Sequence, residues 1–143
     1  MVLFIDTTDG VTVFLALIDR RGRCAATKRL RAQYRQAQRL LPAIDALRRT
    51  TKLPLSGLTG VMLVSGPGPF TALRVGVLTA NTIAWVLRLP LVGVRKTVGA
   101  NFETLIAQGL AKLKNISAPV MVEPYYGQAP NVTTRRKRLG IRK

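Results

Sequence analysis

Two short segments combine residue types and spacing that can do chemistry. The first is Asp6-Thr-Thr-Asp-Gly10. A carboxylate at the end of an apolar run, followed by hydroxyls and a glycine turn, can place a metal ion against phosphate oxygens. The second is Ser65-Gly-Pro-Gly-Pro-Phe-Thr-Ala-Leu-Arg-Val-Gly76. A glycine-rich turn that opens a helix can hold an anion on its N–H groups. This one lacks the Gly-Lys-Ser/Thr ending of a P-loop, and Pro67 and Pro69 remove two donors. It reads more simply as a tight turn that launches a helix, which needs no ligand. A nucleotide clamp also needs opposing walls. The later acids Asp19, Asp45, Glu103 and Glu123 stand in no strand–turn–Gly context, so the chain offers one wall at most.

What is missing narrows the chemistry further. The 143 residues include no histidine, which removes Ser-His, Cys-His and His-ligated metal mechanisms. The single cysteine, Cys24, permits no internal disulfide and no thiolate zinc cage, and reads as a small apolar strand residue. No cofactor and no metal are expected.

The charge is lopsided. Lys and Arg number 23 against 6 acids, a net charge of +17. Eleven cations lie between Arg20 and Lys52, where Asp45 is the lone acid. Six more are Arg135, Arg136, Lys137, Arg138, Arg142 and Lys143, within the last nine residues. A nearby polyanion, most simply RNA, is one reading; a solvated surface and tail is the other. The tail has no interleaved aromatics for base stacking.

The elements that must position these segments follow from pattern. Val2–Asp6, Val11–Ile18 and Cys24–Leu30 read as an antiparallel meander joined by Asp-Gly and Arg-Gly turns. Tyr34–Arg49 turns helical, with Tyr34, Ala37, Leu41, Ile44 and Leu47 on one face and Pro42 as a kink or irregular turn. Val61–Ser65 and Leu91–Val94 are short buried strands. Phe70–Leu87 is a helix with Pro69 as its first residue. Thr97–Lys114 is a third helix, and Pro119–Glu123 a last strand. This alternation predicts an α/β layer fold with a mixed sheet. The opening residues lack a basic stretch, which predicts no signal peptide. The apolar run Val77–Val94 is broken by Asn81, Arg88 and Pro90, which argues against a membrane span and for the cytoplasm.

Ala72, Gly76, Ala80 and Ala84 recur every four residues on the second helix. Such a ridge admits close backbone approach, either to a partner helix or to the chain's own sheet.

The segment Ser65–Gly76 resembles the TsaB family, whose motif is Gly-Pro-Gly-Ser-Phe-Thr-Gly-Leu-Arg-x-Gly. Gly66, Pro67, Gly68, Phe70, Thr71, Leu73, Arg74 and Gly76 match, while Pro69 and Ala72 depart from it. Ile5-Asp-Thr7 resembles the family's opening strand. Arg39-Leu-Leu-Pro-Ala-Ile-Asp45 resembles its first helix, proline included, and Leu89–Val94 the strand after the second helix. Gln36-Ala37-Gln38 stand where the family usually has His-Ser-Glu. Pro119-Val-Met-Val-Glu-Pro-Tyr-Tyr126 looks like the family's C-terminus, and the second lobe with its Asp-Ala-Arg segment has no counterpart.

The resemblance implies one actin-like or ribonuclease-H-like lobe over residues 1–132, with a flexible basic tail over 133–143. In the family, the paralogue TsaD binds metal and the threonylcarbamoyl donor and acts on the tRNA adenosine beside the anticodon. A non-catalytic subunit is therefore implied, one that docks on a TsaD-like threonylcarbamoyltransferase through the two lobe helices. A TsaE-like ATPase, tRNA within the complex and a second copy of the chain are the further partners. The expected interface is Leu41, Ile44, Phe70, Ala72, Leu73, Gly76 and Ala80. The tail cations are expected along tRNA phosphates. The rival readings are an RNA-binding accessory module and a degenerate ATPase retaining activity at Asp6.

Overall fold

The computed structural model describes residues 1–117 and 120–127. Five strands form one mixed sheet: β1 (Val2–Asp6), β2 (Thr12–Ile18), β3 (Cys24–Arg31), β4 (Gly60–Gly66) and β5 (Leu91–Arg95). Their order is β3-β2-β1-β4-β5. The meander β1–β3 is antiparallel, whereas β4 runs parallel to β1 and β5 parallel to β4.

Strand periodicity divides the apolar residues between two layers. Leu3, Ile5, Leu15, Leu17, Val61, Leu63 and Leu91 face α1 (Gln36–Thr50) and α2 (Phe70–Leu87). Val2, Phe4, Ala16, Ile18, Met62, Val64, Val92 and Val94 face α3 (Phe102–Leu113). Both faces of β1 and β4 are thus covered, which is why these strands read as unbroken apolar runs. Phe4, Phe14 and Phe102 lock the second layer edge to face, with centroids 5.0 to 6.0 Å apart.

Several expectations shift in register. The buried side of α1 is Gln36, Leu40, Ala43, Ile44 and Leu47, so Leu41 and Ala37 point outward. Tyr34 precedes the helix at φ 62° and is 91% exposed. The three-and-four pattern fits both faces of this helix, and only contact with the sheet selects one. Pro42 lies inside the helix on its exposed side, where the Gln38 carbonyl it leaves without a donor is on the wet face. Pro69 is the N-cap of α2 rather than its first residue. The third helix starts only at Phe102, because the Asn101 side chain accepts the Thr104 N–H at 2.8 Å and caps it there. Cys24 opens β3 on an exposed edge, not a buried one, and partial desolvation raises its thiol above the usual range. Residues 120–126 form no strand; Pro119 and the tail cations lie outside the described residues.

By length and composition α2 meets the requirement for a membrane span, with mean hydropathy 1.4 over 18 residues. Its apolarity has two sources: one side is buried on the sheet, and the other carries exposed Leu78 (69%), Trp85 (73%) and Val86 (68%).

Candidate functional site

The two segments singled out by their chemistry meet at the C-terminal ends of β1 and β4. Asp6 ends β1, and its Oδ1 accepts the Thr8 N–H at 2.8 Å and the Thr8 hydroxyl at 2.6 Å. Its Oδ2 lies 3.4 Å from the Lys96 ammonium, which also donates to Thr8 Oγ1 at 3.2 Å. The carboxylate is therefore engaged by the chain's own hydroxyl and its own cation. Among the described residues no cluster of three or more His, Cys, Asp or Glu could hold a metal.

The glycine turn is filled in the same way. A side chain at Gly68 would stand 2.6 Å from the Thr8 carbonyl. Gly66, at φ 140°, leaves room for the Tyr125 carbonyl. The turn holds the hairpin loop and the returning chain against the sheet, and its space is taken by protein. The structure thus favours the structural reading of this turn over a phosphate cradle.

The small-residue ridge is a correction. Ala72, Leu73, Gly76 and Ala80 are buried inside the chain, at 2%, 1% and 0% exposure for the three with side chains. A Cβ on Gly76 would run into Thr7 Oγ1, whose hydroxyl donates to the Ala72 carbonyl at 2.8 Å. These four residues face the chain's own fold, toward β4 and the Thr7 segment that follows β1. Gln36 helps fix the same corner: buried, it donates from Nε2 to the Gly10 carbonyl at 2.7 Å.

An apolar groove of about 370 Å³ lies between the two helices, with Leu3 and Leu17 of the sheet beneath it. Leu41, Ile44, Leu55, Ile83, Val86 and Leu87 are among its walls. Asp45 and Arg48 form its polar rim, paired at 2.6 Å. Arg49 adds a second contact to Asp45 at 2.9 Å. The hydrogen bond from Arg48, with the charges of Arg49 and Arg48, holds the Asp45 carboxyl below its ordinary value. Of the expected interface, Leu41 is 56% exposed here, and Ile44 lines the floor.

Sequence reasoning missed how the end of the described chain is fastened. Asn81 on α2 reads the Val122 backbone with its side-chain amide, donating at 2.8 Å and accepting at 2.9 Å. The Tyr125 N–H donates to the Ser65 carbonyl at 2.8 Å. Tyr126 stacks on Phe70 with centroids 4.3 Å apart. Arg74 lies 4.1 Å over Phe70 and donates to the Tyr126 hydroxyl at 3.3 Å. Arg95 lies 4.0 Å over the Tyr125 ring. Phe70 thus belongs to this cluster and not to the groove. The i, i+4 spacing of Phe70 and Arg74 was a visible signal; its partner 52 residues onward was not.

A family model described as TsaD, tRNA N6-adenosine threonylcarbamoyltransferase, matches residues 30–122. The tRNA threonylcarbamoyladenosine biosynthesis protein TsaB of Bacillus subtilis is 34% identical over 71 residues, which is 50% of this chain and 29% of that protein. The chain belongs to the family of this model, and TsaB of Bacillus subtilis is one of its relatives. A tRNA N6-adenosine threonylcarbamoyltransferase of Geobacter metallireducens is 43% identical over 56 residues, 39% of this chain and 16% of the relative. YeaZ from Pseudomonas aeruginosa superposes with a TM-score of 0.60 at 28% identity, over 66% of this chain and 43% of that one. The mixed sheet with α1 and α2 on one face is accordingly an actin-like lobe. The chain spans less than half the length of these TsaB-type relatives.

Proposed function

We propose that this chain is a non-catalytic subunit of the tRNA threonylcarbamoyladenosine machinery that docks on a TsaD-like threonylcarbamoyltransferase. The observation that carries the reading is the exposed apolar groove between α1 and α2, on a chain that a transferase family model matches. The match covers α1, β4, α2 and β5, so the helix pair lies within the part this chain shares with the transferase family. Two homologous helix pairs can meet about a pseudo-twofold axis, each supplying the ridge that fills the other's groove. The engagement of Asp6 by Thr8 and Lys96 supports a role without catalysis. Within the assembly, tRNA and a TsaE-like ATPase are the further partners, in the cytoplasm. Without the enzyme, the same groove pairs two copies of this chain.

The test is co-expression with the TsaD-like protein of the same genome, followed by sizing. A one-to-one complex is expected. Val86→Asp combined with Leu41→Asp should abolish it while leaving the melting temperature of the isolated chain within a few degrees, because both side chains are exposed. A complex that ignores both substitutions, or no complex with the native chain, refutes the proposal.

A further inference from the structure

We propose that the arginine–aromatic cluster at the end of the described chain is a stacking platform for single-stranded RNA. Five residues build it: Phe70, Arg74, Arg95, Tyr125 and Tyr126. Single strands are held by planar groups that accept a base on one face, combined with cations that follow the backbone. Both are present here. Arg74 and Arg95 each lay one face of the guanidinium on a ring, and both arginines are exposed. The opposite faces are available to bases, and the N–H edges to phosphate. The two stacks are tied together because Tyr125 and Tyr126 are adjacent, and their backbone is seated on Ser65 and Asn81. The platform is therefore rigid before any ligand arrives, which lowers the cost of binding.

Two observations select RNA as the occupant. The first is charge. Lys96 is paired with Asp6, but neither Arg74 nor Arg95 is paired with an acid among the described residues, in a chain of net charge +17. The second is where the described chain stops. Gly127 lies against Pro67, beside the cluster. The 16 residues that follow hold six cations and no acid. A polyanion drawn to that segment is delivered to the platform. The inference goes beyond docking on a transferase, and it is tested without that partner.

The experiment is fluorescence anisotropy of the full chain with a labelled single-stranded RNA of about 16 nucleotides, the upper site size of one small domain. The same RNA as a duplex is the control, since paired bases cannot stack on a platform. Single strands should bind more tightly than duplex. Arg74→Ala with Arg95→Ala should weaken single-strand binding about tenfold. Arg74→Lys with Arg95→Lys keeps the charge but not the plane, and should recover only part of that loss. Tyr126→Phe keeps the ring and should bind like the native chain. Equal affinity for duplex, full recovery by lysine, or an unchanged double-alanine variant overturns the platform and leaves the cluster as a fastening. Competition by polyglutamate as strong as by unlabelled RNA overturns it in favour of acidic protein surfaces.

Discussion

Gly76 shows how one residue's environment decides between two meanings of the same pattern. A small residue every four positions is what a helix needs to approach any flat partner, and the partner here is the segment just after β1, with its Thr7 hydroxyl. Gly76→Leu must therefore displace Thr7 and break its bond to the Ala72 carbonyl. Overpacking of this kind costs about 1–3 kcal/mol, and the lost buried hydrogen bond adds about 1 kcal/mol. We expect a melting temperature lowered by roughly ten degrees or more, with association through the outward groove retained in whatever protein remains folded. Thermal melting of the isolated chain, read beside sizing of the complex, checks both halves. A native-like melting temperature with lost association would restore the ridge to the interface.

At the scale of elements, α1 joins its buried face to a rim that titrates. The Arg48 hydrogen bond depresses the Asp45 carboxyl, with Arg49 and Arg48 adding their charge. The folded pKa is thus below the unfolded one, so the pair's contribution is complete above 3.8 and is lost as pH falls through the depressed value. An NMR carboxyl titration should place the Asp45 midpoint below 3.8, and Arg48→Gln should move it back up; an unmoved midpoint would deny the pair its role. The strands and α2 were legible because a run of apolar residues between glycine turns has few alternatives. Leu41 was not legible in the same way. Its spacing fits the face that holds Ile44 and Leu47, and only the position of the sheet turns it outward. The glycine motif was visible as a turn, but what fills it was not, because Thr8 and Tyr125 come from opposite ends of the chain. The arginine–aromatic cluster was hidden for the same reason: it depends on contacts between residues 70–74 and 125–126, which no local pattern encodes.

Across the whole molecule, the chain comes back to its own beginning. After α3 crosses one side of the sheet, residues 120–127 reappear on the other, held by Asn81, Ser65 and the space at Gly66 and Gly93. Every one of those fastenings is made to α2, β4 or β5, and none depends on how the chain travels from Ser117 to Val120. That interval is therefore a natural port for cargo. Chain length added there costs only loop entropy, about 0.6 kcal/mol for each doubling, while both flanks stay docked. A flexible insert of about a dozen glycines and serines between Ser117 and Val120 should leave the melting temperature within a few degrees of native, and hydrogen exchange at the Tyr125 amide should stay slow. The same insert placed within α2, just before Asn81, should unfold the protein. If the port is as permissive as its fastenings imply, one lobe of this size can host a second folded body without redesign, and a large relative and a small one can share the same frame.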